Sequence, residues 1–438
     1  MNEFSDTILY NRFLKQTLSL GQVNMVKVMS YKNRFLWLEC ISCGKHHPAQ
    51  THSRCDKCQG LLTASYDLES ASIDIHRRGT SIWQFKELLP PVSEQNIVSL
   101  GEGWTPYVLA ENYGRSIGLK NLWCKLEGQN PTGAFKDRIG SLGLSLVKEW
   151  GKKGVFLASS GNAAAAVSAY SARAGVPCIV LIREDSTASK LGQISMYGAK
   201  LLRVRDLFKT EQSLFDVLST TQRALPDWLN HFVWVTFNPL LIDSMKTIAY
   251  EIASSSLPDY VFVPTAGGDL LYGIYKGFCE LKTLGIIDKM PKMVVVQGKE
   301  ASPTVQAVQS GSTRVPHTGK AQTVAGALRV NFGAEHSLVA VRESHGFGVA
   351  LSDNEIIAAE REIAKGDGIF CEVSSATSLA GIAKAVQEGK IARDESACAI
   401  LTGVGFKEYY PPFMEISEVP LATKLEDIPQ ILRSSYGF

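Results

Sequence analysis

The chain has 438 residues, 45% of them apolar and 20% charged, so it can bury an ordinary core and is long enough for two to four domains of about 100–200 residues each. Its 45 basic and 43 acidic residues leave a net charge of +2, a balance that sets up no field to select a polyanion and speaks against nucleic acid as a partner. The opening MNEFSDTILY lacks the basic-then-apolar order of a secretory signal. Apolar runs such as CIVLI and MVVV are too short to span a bilayer, so the expectation is a cytoplasmic protein without membrane contact.

Residues 1–30 form an extension with a weak pattern, in which Leu9, Phe13, Leu14 and Leu18 would line one helix face. Residues 31–66 carry Cys40, Cys43, Cys55 and Cys58, two Cys-x-x-Cys pairs separated by eleven residues. Two such knuckles facing each other give the four-sulfur shell of a structural zinc ribbon. The nine cysteines otherwise scatter through apolar surroundings, which describes a reducing compartment rather than a disulfide framework. His46, His47 and His52 between the pairs read as exposed loop residues. Residues 67–96 form a connector, with SIWQFKELLPP a short amphipathic turn ended by Pro90 and Pro91.

From about residue 97 strands and helices alternate. KGVFLASS, VPCIVLIR, AKLLRV, DYVFVPT, KMVVVQG, GIFCEV and ACAILTG read as strands. Helices are expected over Ala163–Ala174, Lys190–Gly198, the segment MKTIAYEIASSS, Leu270–Leu284 and Ser375–Glu388. Continuous apolar strands separated by helices describe parallel sheets covered on both faces.

NPTGAFKDR, residues 130–138, places Lys136 at a turn-to-helix junction, because Ile139, Leu142, Leu146 and Trp150 follow at helical spacing. A helix's first turn is electropositive and disfavours an ammonium. That suits a lysine that must lose its proton, whereas the ordinary alternative is a solvated Lys136 paired with Asp137. Ser159-Ser160-Gly161-Asn162 and Ala266-Gly267-Gly268 each lie between a strand and a helix. Small residues there let a ligand approach the backbone and an anion meet a helix N-terminus, although each also serves as an ordinary cap or turn. Thr402 ends the last strand at the same carboxyl edge.

In order along the chain, SLGEGWTP (99–106), NPTGAFKDR, SSGN (159–162), MKTIAYEI (245–252), VPTAGGDLLYGIYKGF (263–278), SSATSLAG (374–381) and LTGVGFK (401–407) resemble the motifs of pyridoxal-phosphate (PLP) enzymes of the tryptophan-synthase β type. They are most similar to those of the threonine synthases, and the resemblance extends over residue 36 to about residue 410, zinc ribbon included. It implies two doubly wound α/β domains, PLP fold type II, behind the ribbon. The large domain would combine 97–142 with 244–438, and the small one would be an insertion at 143–243. PLP would sit between them, in a protein expected to be a homodimer.

The resemblance assigns roles residue by residue. Lys136 would bind the cofactor covalently and shuttle protons, supported by Phe135. Asn162 would meet the cofactor's phenolic oxygen, and Thr402 its ring nitrogen. Ala266, Gly267, Gly268, Asp269 and Leu270 would form the phosphate cup. Thr105, Ser159, Ser160 and Gly161 would lie at the substrate. The activity implied is conversion of O-phosphohomoserine and water to threonine and phosphate.

Three departures bear on that activity. Asp269 puts a carboxylate in the cup, NPLLIDSMKT (238–247) lacks the Arg and Gly-Gln of many threonine synthases, and Ala163 stands where some carry threonine. The anion grip would then pass to Lys246, Arg183 or Lys190. The same departures keep open a β-replacement or β-elimination on a serine- or phosphoserine-like substrate, as in a cysteate synthase or a threonine or serine ammonia-lyase. A reading from another class is a binding or regulatory protein that docks through its ribbon. Cys371, beside Glu372, is expected to pack as a small apolar residue.

Overall fold

The structure is a computed structural model and describes residues 32–51, 54–186, 188–208, 210–319, 321–407 and 420–436. The expected helix face at Leu9, Phe13, Leu14 and Leu18, and His52, lie outside these residues, as does the side chain of Lys190.

The described residues form three sheets. The first is small and antiparallel, with β1 (Phe35–Cys40) between β2 (His46–His47) and β3 (Leu62–Tyr66). The second has six strands in the order β12-β11-β10-β13-β5-β4, where β4 is Tyr107–Leu109, β5 Asn121–Leu126, β10 Tyr260–Pro264, β11 Lys292–Gly298, β12 Gly348–Leu351 and β13 Ser396–Leu401. Its pairs are parallel except for β4 against β5. The third is fully parallel, β8-β7-β6-β9, built from β6 (Gly154–Ala158), β7 (Cys178–Arg183), β8 (Lys200–Val204) and β9 (Trp228–Asn230). Every residue of β6 and β10 is buried, as strands covered on both faces must be, so their sequences run apolar without alternation.

The helices expected from periodicity form within a few residues of their predicted ends: Lys136–Glu149, Asn162–Ala174, Ala188–Met196, Thr247–Ala253, Asp269–Thr283 and Val373–Gln387. Gly175 closes the second of them in the left-handed conformation, φ +68°, where a glycine carries no Cβ penalty. SIWQFKELLPP folds as the 3-10 helix Ile82–Leu88, capped by the Ser81 hydroxyl. GIFCEV is not a strand. Cys371 makes only an isolated bridge to Val404, and Val373 already begins a helix. Among the described residues no helix is long and apolar enough to cross a membrane.

The small antiparallel sheet is joined to the six-stranded layer by a buried charge cluster. Lys246 is fully buried; its ammonium donates to Asp243 Oδ2 at 3.1 Å and Glu280 Oε1 at 2.9 Å and lies 3.8 Å from the centre of the Tyr66 ring of β3. Lys276 adds bonds to both Asp243 oxygens and to the Ala64 carbonyl. Burial opposes the charge on Asp243, but the ammoniums of Lys246 and Lys276 hold its carboxyl below the ordinary range. Lys246 is therefore a structural tie, which corrects its assignment to the substrate's anion: all its neighbours are core groups, and no face of it is open.

Candidate active site

Two strand-to-helix turns have a charged link to Lys136: Asp269 opens the helix after β10, and Glu372 binds Asn162, which opens the helix after β6. Lys136 is the first residue of its helix, as its spacing predicted. Its ammonium lies 4.4 Å from the centre of the Phe135 ring and, among the described residues, has no hydrogen-bond or ion-pair partner. Burial lowers its pKa to about 8, while the charges of Asp269 and Glu372 pull the other way. Asp137 is not its partner. Both Asp137 oxygens are taken at 2.6 Å by the amide and hydroxyl of Thr132, which fixes the turn that presents the lysine.

The rest of KDR anchors the turn. Arg138 is fully buried and forks onto Glu127 and Glu251, with Nη1 also on Thr247 Oγ1 at 2.9 Å. Lys125 joins the same cluster through Glu251 at 2.6 Å. Thr105 belongs here too: it is buried, and its hydroxyl donates to Glu127 Oε1 at 2.6 Å. Its proton is thereby committed to Glu127, and the expected contact with substrate is left to the oxygen's accepting side. Phe135 is tied through its N–H to the Thr402 carbonyl at 2.9 Å, and Ala134 bridges Gly403. The lysine turn and the end of β13 thus form one rigid piece.

The glycine turn after β10 fits a phosphate. Gly268 has φ +105°, and a Cβ there would lie 2.6 Å from Ser337 Cβ; a Cβ on Gly267 would face Trp234 Nε1 at 3.1 Å. Trp234 Nε1 is buried without a hydrogen-bond partner, a donor at the mouth of the turn that an anion would satisfy. Gly268 N-caps the helix Asp269–Thr283, whose first N–H groups add to the cradle. Leu270 is buried in the core, so only its backbone faces this end. Asp269 turns aside: Oδ1 accepts from Val235 N at 3.3 Å and lies 2.9 Å from His336 Nε2. The carboxylate that sequence alone would set against a phosphate is held by neighbouring groups.

From the other sheet, Ser159, Ser160 and Gly161 lead from β6 to the helix that begins at Asn162. Ser159 Oγ accepts from Gly161 N at 3.2 Å, and a Cβ on Gly161 would meet nothing within 4 Å, so this turn fronts open space. Asn162 Nδ2 donates to Glu372 Oε2 at 2.9 Å. Thr402, also buried, donates to Glu372 Oε1 at 2.9 Å and lies 2.8 Å from Ser375 Oγ. Glu372 therefore connects the two residues expected to face the cofactor's ring, and its charge reaches Lys136. Sequence reasoning passed over it. The available signal was an acid immediately before a helix start and a Ser-rich stretch. Arg183 does not reach the site; it is exposed and paired with Asp185 at 2.8 Å.

In the ribbon, Cys40 Sγ and Cys58 Sγ are 3.4 Å apart and Cys43 Sγ and Cys55 Sγ 3.8 Å, with all four within 4.8 Å of one another. A tetrahedral shell with zinc–sulfur bonds of about 2.3 Å separates its sulfurs by about 3.8 Å, so the cluster fits that ion. Gly60 makes room for it, since a Cβ there would lie 2.7 Å from Cys40 Sγ. The backbone N–H of Lys45, with the Cys58 thiol, lowers the Cys43 pKa to about 7, while, against the backbone N–H of Gly60, the neighbouring cysteines push Cys58 up to about 12, so one sulfur gives up its proton more readily at the other's expense. His47 is not an exposed loop residue: it is buried in β2, with its ring nitrogen grouped with Cys55 and Asp56. His46 is exposed and stacks on Trp37 at 4.0 Å.

Residues 98–403 match the family described as pyridoxal-phosphate dependent enzyme. Threonine synthase of Methanosarcina acetivorans is 37% identical over 376 residues, covering 84% of this chain and 91% of that protein. Threonine synthase of Methanocaldococcus jannaschii is also 37% identical, covering 84% and 92%. Among solved structures, maize serine racemase superposes with a TM-score of 0.59 at 23% identity, covering 69% of this chain and 88% of that one, a likeness of fold.

Proposed function

Because the chain belongs to the pyridoxal-phosphate-dependent enzymes and is threonine-synthase-like over most of its length, we propose that it converts O-phosphohomoserine and water to threonine and inorganic phosphate. The observation that supports this reading is Lys136: an amine with its pKa lowered to about 8 by burial, within electrostatic reach of Asp269, which follows the glycine turn, and of Glu372, which binds Asn162 and Thr402.

The residues divide the work. The glycine turn, with Trp234 Nε1, holds the cofactor's phosphate. Asn162 and Thr402 orient its ring, and the carboxylate of Glu372 orients both. Bound there, PLP supplies an electron sink for charge developing on the substrate's carbons. Ser159, Ser160 and Gly161 receive the substrate carboxylate at open backbone. Lys136 takes the α-proton and then a β-proton, which a neutral amine can do because burial has already weakened its hold on its own proton. Phosphate leaves from the γ carbon, the γ carbon takes up a proton, water adds its hydroxyl at the β carbon, and Lys136 returns a proton to the α carbon.

The reading includes the division into a large domain (97–142 and 244–438) and an inserted small domain (143–243), the zinc at Cys40, Cys43, Cys55 and Cys58, a phosphorylated substrate, a homodimer and a cytoplasmic location. Purified protein offered O-phosphohomoserine and, separately, O-phosphoserine should release phosphate from the first and yield threonine. Release from O-phosphoserine alone would move the chain to the β-replacement or β-elimination reading.

A further inference from the structure

A phosphorylated substrate needs a cation at its distal end, and two of the three basic side chains singled out by sequence are engaged elsewhere, Lys246 in the core and Arg183 with Asp185, while that of Lys190 lies outside the described residues. Lys407 is placed differently. It ends the turn Gly405–Lys407 after β13 and lies against the lysine turn, where a Cβ on Gly133 would be 3.2 Å from its Cδ. Its ammonium donates to the Thr132 carbonyl and to Gln193 Oε1, both at 2.7 Å. Thr132 precedes Lys136 by four residues. Gln193 stands on Ala188–Met196, the helix after β7 of the other sheet, and its own Nε2 donates to the Thr132 carbonyl at 3.0 Å.

The ammonium thus stands where loops of the two sheets meet. Both of its acceptors are neutral, and an ammonium has three donors. Among the described residues none of its contacts is an ion pair within 4.0 Å, and its third donor is unclaimed. The nearby carboxylates are committed: Asp137 to Thr132, Glu372 to Asn162 and Thr402. They oppose the loss of charge that burial favours at Lys407. A partly buried cation held by neutral oxygens is poised for an anion, since ionic hydrogen bonds are roughly twice as strong as neutral ones.

We propose that Lys407 is the specificity-determining residue that receives the substrate's γ-phosphate, held in position by Gln193 and the Thr132 carbonyl until the anion arrives. This rests on the phosphorylated amino-acid substrate proposed above.

The test uses holoenzyme with Lys407→Gln, Lys407→Arg and Gln193→Leu. Three quantities are read: KM for O-phosphohomoserine, competitive inhibition by inorganic phosphate, and half-saturation of the cofactor's visible spectrum by L-threonine, which has no phosphate. Lys407→Gln should raise both KM and the phosphate inhibition constant by about 10–100-fold while shifting L-threonine by less than about twofold. Lys407→Arg should restore most of the phosphate inhibition, and Gln193→Leu, which removes one of the two acceptors that hold Lys407, should weaken it by less than Lys407→Gln does. Equal weakening toward phosphate and threonine in Lys407→Gln and Gln193→Leu would make the contact a mere structural latch and overturn the proposal. So would an unchanged phosphate inhibition constant in Lys407→Gln. If the wild type turns over no O-phosphohomoserine yet binds inorganic phosphate through Lys407, the threonine reading fails and the anion site stands.

Discussion

Two regions of this molecule bury a lysine, and they use it in opposite ways. At the seam beneath the small antiparallel sheet, Lys246 is fully enclosed and its ammonium sits on Asp243 and Glu280 against the Tyr66 ring. At the lysine turn, Lys136 is only partly enclosed and touches the Phe135 ring, with the charges of Asp269 and Glu372 near it but not bonded to it. Burial lowers the proton affinity of both amines. What separates a reactive amine from a structural one is therefore whether its donors are already occupied and whether a ligand can reach it.

The comparison breaks most visibly by deletion. Lys136→Ala should lower phosphate release by more than about a thousandfold, the loss expected when the proton-transferring amine is removed, with an unchanged urea midpoint. Lys246→Met should do the reverse. It strands Asp243 and Glu280 beside fewer cations and should cost about 3–5 kcal/mol of stability, read as a lower urea midpoint, while the surviving folded fraction keeps its turnover. A Lys246→Met enzyme with normal stability and lost phosphate release would return that residue to the substrate.

The two lysines also show what the sequence made legible. Lys136 could be recognised because its evidence is local: a Pro-Thr-Gly turn, a first helical turn, and the motif NPTGAFKDR that resembles a known family's. The glycine turns and cysteine knuckles are local signals of the same kind, and the long apolar strands of the two larger sheets followed from unbroken apolar runs. The less legible residues have distant partners. Lys246 meets Glu280 thirty-four residues away as well as Asp243 three residues before it, and Thr105 meets Glu127 twenty-two residues away, so the stretch around each does not announce the burial that engages it. Glu372 was hidden because its stretch read as a strand, while its partners Asn162 and Thr402 lie 210 and 30 residues from it. Strands of three or four residues, such as β4, β9 and β12, carry too few side chains to show a period.

A smaller effect separates the two anion-facing turns. Gly268→Ala forces a side chain into a left-handed backbone and against Ser337 Cβ, which should cost about 1–3 kcal/mol and lower retention of PLP on dialysis. Gly161→Ala meets open space and should change folding stability by less than about 0.5 kcal/mol. Equal losses of stability in the two variants would mean that the glycine cup is not the tighter of the two approaches.

The finest test is pH. Lys136 has a folded pKa near 8 against 10.5 for a free lysine side chain, so its neutral, nucleophilic form grows as pH rises toward 8 and then levels off, whereas a solvated lysine is still gaining well above that. Covalent capture of an aldehyde by the apoprotein, trapped with borohydride and mapped to the peptide carrying Lys136, should speed up about tenfold between pH 7 and pH 9, with most of the rise complete by then. Replacing Glu372 by Gln removes one of the two charges that favour the ammonium, so its curve should shift to lower pH. A curve that moved upward, or kept rising through pH 10 in the parent protein, would place the amine in solvent and leave burial with no part in its reactivity.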